Sequence, residues 1–279
     1  FALDTLEPDI RMTGYLGLRS RPDHVLGRAT ELQPTPAGLG VAGDCGPNWS
    51  INLDRLINGA NNDYDWTCAA FGGEQPTADT LVIRRVAEDP DVVPAPGAMY
   101  VQSARFQDSQ LFVGPVVPAG FAATTSASHR LVVNGYYVSQ TSSISTPGNP
   151  IPSLRMKTLI GGPSGPQIED REILPGVEDL QVQFGVDTDP IGTVNRGSVN
   201  RYVNPDDPII DPNDAFFDPN AQIIAVRIWL RVRAERRENG FSDDNSYTYA
   251  DQNVAPFNDA YRRVLVTKTI YLRNARKTI

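Results

Sequence analysis

Apolar and polar residues alternate cleanly over three stretches in the C-terminal half of the chain. In Val177 to Val186, Leu180, Val182, Phe184 and Val186 share one face, and Asp179, Gln181 and Gln183 the other. Ile224, Val226, Ile228, Leu230 and Val232 alternate with Ala225, Arg227, Trp229, Arg231 and Arg233, and Tyr261 to Arg273 forms a third stretch. A period of two predicts antiparallel strands with one face buried. Shorter apolar runs predict further strands at Leu81-Val82-Ile83, Arg130 to Ser139 and Leu154 to Ile160. Within the second of these, Asn134-Gly135 reads either as a type I′ hairpin turn or as a bulge in one continuous strand. Near the start, Phe1, Leu3, Leu6, Ile10 and Leu16 recur at helical intervals, which predicts a helix over 1–18, bent by Pro8 and weakened at its end by Gly14 and Gly17.

Residues 19–78 are crowded with Pro, Gly, Asn and Asp and read as a long loop region, and residues 79–279 as the sheet domain. Strands that follow a helix, rather than alternating with helices, predict an α+β fold: an N-terminal helix packed on an antiparallel β-sheet with long loops. Gly and Pro together make 46 residues, which favours this β-rich, loop-rich organisation.

Charge narrows the partners. Twenty-five Lys and Arg against 33 Asp and Glu leave a net charge of −8, which speaks against nucleic acid as a partner and against general attraction to anionic membranes. A hydrophobic fraction of 40% is enough for a packed core. The longest charge-free stretch, Ser109 to Ser128, carries Gly114, Pro115, Pro118 and Gly120 and reads as strand plus loop, not as a membrane helix. The chain opens on Phe-Ala-Leu-Asp without an initiator Met, so it reads as an excised soluble piece with something N-terminal missing.

Candidate chemistry is sparse. Gly162-Pro163-Ser164-Gly165 lacks the spacing of a nucleophile elbow, and two histidines give little basis for a triad. Gly38-Leu39-Gly40-Val41-Ala42-Gly43 matches a dinucleotide fingerprint by letter but follows prolines, not a strand. Asp187-Thr188-Asp189, followed by Gly192 and Asn195, sets oxygen ligands at alternate positions, as in part of a calcium loop. Asp187 and Asp189 are thus the candidate metal ligands and calcium the candidate cofactor. A full loop also wants an acid at its twelfth position, where this chain has Ser198, and a solvated turn is the plainer reading. Asp206, Asp207, Asp211, Asp214 and Asp218, interleaved with prolines, read as an acidic surface loop. Arg227, Arg231 and Arg233 beside Trp229 form either a clamp for a sugar or acidic partner, or the ordinary polar face of a sheet. Cys45 and Cys68, the only cysteines, allow one bridge, which would close a loop of about two dozen residues and add about 3 kcal/mol.

Four ordered blocks carry a family resemblance. Phe1-Ala-Leu-Asp-Thr-Leu-Glu-Pro-Asp-Ile-Arg-Met-Thr-Gly-Tyr-Leu-Gly, Leu174 to Asp189, Ile224 to Arg233, and Arg262-Arg263-Val264 through Tyr271-Leu272-Arg273-Asn274 resemble the PilW family of type IV pilus minor pilins. The chain departs from the family pattern at Leu18, where a Cys is common, at Pro8, and at Pro190-Ile191. The resemblance implies a pilin-like fold, with 1–18 as the C-terminal half of the pilin helix, whose first half anchors the subunit in the inner membrane before assembly. It implies a structural role without catalytic residues: a minor pilin that helps prime pilus assembly and sits at the pilus tip. Such pili serve adhesion and twitching motility. The implied partners are other minor pilins, the major pilin and a PilY-type tip adhesin, met through Phe1, Leu3, Leu6 and Ile10. Folding in the periplasm implies a Cys45–Cys68 bridge rather than two free thiols. The alternatives are a minor pseudopilin of type II secretion, or an extracellular carbohydrate- or calcium-binding β-domain.

Overall fold

The structure is a computed structural model that describes residues 2–19 and 21–275. Its helix, α1 (Ala2–Arg11), buries Ala2, Leu6, Asp9 and Ile10 along one stripe. It is shorter than the sequence predicts. Thr13 N–H closes a last turn onto the Ile10 carbonyl, and Gly14 N–H turns away to the Arg84 carbonyl. Leu16, which fits the helical period, therefore packs in a different core from Leu6 and Ile10.

The strands follow as β1 (Val25–Leu26), β2 (Ile57–Asn58), β3 (Leu81–Val86), β4 (Met99–Ala104), β5 (Ser109–Val113), β6 (Ser126–Ser139) and β7 (Ser153–Gly162). The rest are β8 (Gly165–Pro175), β9 (Val177–Asp187), β10 (Arg201–Val203), β11 (Gln222–Arg233), β12 (Tyr247–Tyr249), β13 (Gln252–Val254) and β14 (Arg263–Tyr271). A first sheet runs β1-β5-β4-β6-β3-β2, with β7 added to β6 and β8 to β7. A second runs β10-β9-β11-β14, and β12 pairs with β13 as a separate hairpin. The chain crosses from the first sheet to the second at Gly176. This residue holds φ +87 with its backbone against Arg233, where a Cβ would lie 2.6 Å from the Arg233 carbonyl oxygen, so only glycine fits.

The expected α+β fold, a helix packed on one antiparallel sheet, is corrected: the structure is mostly β, 37% strand and 6% helical, with several sheets and, among the described residues, one short α-helix at the N-terminus. Two causes account for the difference. The helix ends at Arg11, and much of the β structure comes from β4, β5 and β8, where no clean alternation announces a strand.

Alternation along the first sheet feeds two cores. Leu81, Ile83, Tyr136 and Val138 point to a core shared with α1 and the second sheet. Val82, Val86, Leu131, Val133 and Tyr137 point to another, closed by residues of the long N-terminal segment. The six positions expected on the buried side of the second sheet, Leu180, Val182, Phe184, Val226, Ile228 and Leu230, are all buried. The first sheet is thus covered on both faces, by the second sheet and by a layer of loop.

That loop layer is tied down. Cys45 and Cys68 are bonded to each other, and Trp49 and Trp66 pack edge to face beside them. The two indoles lie over Gly135, where a Cβ would come within 2.7 Å of Trp66 and 2.8 Å of Trp49. Gly135 sits inside an unbroken β6, opposite Val82 on one side and Lys157 on the other. The continuous-strand reading of Asn134-Gly135 is the observed one, and the glycine makes room for the indoles. Arg84, buried under the layer, donates to the carbonyls of Trp49 and Arg55 and to the Asn58 side chain. Asp79 joins all three layers: its carboxylate accepts from the N–H groups of Asn62 and Val182, and its own N–H reaches the Leu180 carbonyl.

Candidate functional site

The helix is held to its own domain by a buried carboxylate. Asp9 accepts from Arg85 Nε at 2.7 Å, Asn134 Nδ2 at 2.5 Å and the Tyr136 hydroxyl at 2.6 Å. Burial, and then the neighbouring Asp9 charge, push the Tyr136 hydroxyl well above its ordinary pKa, so it stays a donor. Leu6 and Ile10, expected to meet partners, are fully buried in the protein's own core, because the helix turns this stripe toward the sheets. Leu3 lies half-buried at the margin of that core. Phe1 falls outside the described residues. The outer flank of the helix is polar: Glu7 pairs with Arg11 and, at 2.5 Å, with Lys268 of β14.

Asp187 and Asp189 come together at the end of β9, in a turn. Asp187 is completely buried and accepts from Asp189 N–H and Gly197 N–H. Asp189 accepts from the Asn200 side chain. Arg196 stands where a cation would, its Nη1 3.6 Å from Asp187, and donates to the carbonyls of Asp189 and Asn220. Among the described residues, no three His, Cys, Asp or Glu side chains converge as metal ligands do. The acidic loop contributes Asp206 and Asp211 to a shallow cleft of about 320 Å³, where Arg55 pairs with Asp211.

The arginines of β11 are engaged inside the protein. Arg227 lies over the Tyr202 ring and Arg233 over the Tyr261 ring. Arg231 donates to Glu178 Oε2 at 3.2 Å and to the Tyr249 hydroxyl at 2.6 Å, and that hydroxyl donates to Asp179. At the centre, Arg263 donates to both oxygens of Glu178, to both of Asp259 and to Asp243. Its side chain is 1% exposed, and its guanidinium lies 3.7 Å over the Phe257 ring. Burial pulls the Arg263 pKa down, but the Asp259 and Glu178 hydrogen bonds outweigh it and the net shift is upward. The Arg263 hydrogen bonds hold Asp259 below the usual carboxylate range. Burial works against Asp243, yet Arg263, Asn245 and Tyr247 hold it low as well. The clamp reading of Arg227, Arg231 and Arg233 therefore meets guanidinium groups already engaged, Arg231 with Glu178 and Tyr249, Arg227 and Arg233 over tyrosine rings. Sequence reasoning missed Asp9, Arg84, Glu178, Asp243 and Arg263; the one signal was charge inside otherwise strand-like stretches, in Val-Glu-Asp-Leu and Arg-Arg-Val.

One margin of the second sheet is open. β14 pairs with β11 in unbroken register from Ala225 opposite Tyr271 to Arg233 opposite Arg263. Among the described residues no strand pairs with its other side.

Residues 135–274, half of the chain, match the family model described as type IV pilus-assembly protein W, PilW. That span runs from β6 to the end of β14 and contains the Glu178–Arg231–Arg263 cluster. Among solved structures, a type IV-like pilin from Thermus thermophilus is similar at 17% identity and a TM-score of 0.31, over 75% of this chain and 83% of that one. A likeness that loose carries no argument here. No curated protein matches the chain.

Proposed function

The chain belongs to the PilW family of type IV pilus assembly proteins, and from this premise we propose that it is a minor pilin that helps prime pilus assembly and takes a place at the pilus tip. It is a pilin related to the type IV pilus, of the cell envelope. On this reading it stands in the periplasm before assembly, tethered to the inner membrane by the first half of the pilin helix, and is then carried to the cell surface. None of the described helices is itself long and apolar enough to cross a membrane. Its partners are other minor pilins, the major pilin and a tip adhesin of the PilY type.

The observation that carries the proposal is the family match over 135–274. The arrangement of charges agrees with a structural role. Asp9, Glu178, Arg231 and Arg263 are each paired and buried, joining helix to sheet and strand to strand. The work left to such a protein is association.

The test is deletion of the gene in its own cells, with surface pili counted and twitching measured. Piliation should fall and return on complementation. Wild-type piliation and twitching in the deletion strain would remove the priming role. Immunogold labelling along the whole shaft, rather than at the end, would remove the tip placement.

A further inference from the structure

The open margin of β14 has the chemistry of a strand acceptor. Leu272 N–H donates across to the Ile224 carbonyl, and Arg273 N–H points the other way, to the Arg11 carbonyl. Antiparallel pairing alternates inward and outward residues. Tyr271, Thr269, Thr267 and Leu265 therefore turn their N–H and C=O groups outward, and among the described residues those groups have no protein partner.

Natural edges are usually guarded by an outward lysine, a proline or a bulge. β14 has no proline and no bulge. Lys268 is drawn back to Glu7, and Arg263 is turned inward with 1% of its side chain exposed. The same margin is where the first core is unfinished. Leu3, Val232 and Val266 are only partly covered, and Val264, opposite Val232, is 53% exposed.

We propose that the free edge of β14 receives an extended strand of another pilus component, with every second side chain apolar so that it closes over Leu3, Val264 and Val266. The inference rests on the reading of the chain as a pilus subunit. Unpaired ladder groups at strand spacing are satisfied by another extended backbone, and the exposed valine sets which face of that strand is apolar. A second copy is the wrong occupant. Self-pairing about Thr267 would bring two chains of net charge −8 edge to edge, with their helices antiparallel, and subunits that share one direction along a filament cannot repeat that arrangement.

The experiment uses the complete gene in its own cells. A benzoylphenylalanine at Thr269 is photolysed in piliating cells, and the crosslinked peptide is mapped by mass spectrometry. Separately, Thr267→Pro removes an outward N–H that β11 does not use, and Thr267→Lys puts an outward charge on the edge; Thr267→Val is the control. The expected result is a crosslink to an extended segment of a different pilus component. Surface pili should fall about tenfold in the Pro variant, the effect of losing one ladder hydrogen bond, fall as well in the Lys variant, whose charge guards the edge, and stay near wild type with Val. Wild-type piliation with both variants, a crosslink only to a second copy, or no crosslink in cells whose piliation needs the gene would each overturn the proposal. If the Pro variant fails to accumulate, the Lys variant and the crosslink still decide. Deletion of the gene without loss of pili would sink the pilus-subunit reading instead, while the crosslink would still report on the edge.

Discussion

Replacing Arg263 by methionine tests whether the buried ion cluster holds the second sheet together. The guanidinium makes five hydrogen bonds to carboxylates, at 2.7 and 3.1 Å to Glu178, 2.7 and 2.8 Å to Asp259 and 3.0 Å to Asp243, and a sixth to the Tyr261 carbonyl. Methionine keeps the stem over Phe257 but leaves three carboxylates facing one another, two of them buried. Breaking a buried pair by removing one partner costs about 3–5 kcal/mol, mostly the price of the charges left behind. The pH dependence separates this from simple loss of packing. In the wild type, Asp243 and Asp259 have folded-state pKa values below their unfolded ones. Their stabilisation is therefore fully present above the unfolded pKa, about 4, and is lost as pH falls through the folded value. Without Arg263 the carboxylates take up protons more readily in the folded state, so the penalty should shrink as pH drops. Urea unfolding of both proteins at pH 7.5 and pH 4.5 is expected to give the larger gap at pH 7.5. A gap under about 1 kcal/mol at neutral pH, or one that is the same at both, would refute the reasoning.

Four further outcomes rest on the packing. Serine at both Cys45 and Cys68 opens a loop of 23 residues and should lower the unfolding free energy by about 3 kcal/mol in urea titrations. Gly135→Ala forces a methyl against two indoles and should cost about 1–3 kcal/mol, with a change in tryptophan fluorescence that a surface substitution would not give. Leu6→Ala empties a fully buried site and should cost about 2–5 kcal/mol by the same titration. Leu3→Ala, at the core margin, is expected to lose less than half as much, and equal losses would contradict the orientation of the helix.

The second sheet was legible in the sequence because its strands obey one rule: Leu180, Val182 and Phe184 alternate with polar neighbours, as do Val226, Ile228 and Leu230. The first sheet was harder to read because it is buried on both faces. In β4 every residue from Met99 to Ala104 is buried, so its apolar and polar residues do not alternate by exposure. β8 carries Glu169, Asp170, Arg171 and Glu172 in a row, and reads as loop until Arg155 and Lys157 of β7 are placed beside it. Residues 19–78 are rich in turn-forming residues, but composition does not say that such a segment can be pinned into a layer by two indoles and a disulfide. At the candidate site, the apolar positions of the helix were visible, but the direction they face was not. That direction is set by Asp9, whose three partners lie 76 to 127 residues away.

Asp79 has a consequence for how the molecule comes apart. One side chain caps backbone groups in the loop layer and in β9, while its own N–H extends the edge of the second sheet. None of the three layers can separate without exposing unpaired groups in at least one other. Local opening should therefore be confined to the surface loops, and the amides of Asn62, Asp79 and Val182 should exchange with solvent together, at the rate of global unfolding. A subunit pulled through its helix would yield in a single cooperative event rather than peel away sheet by sheet.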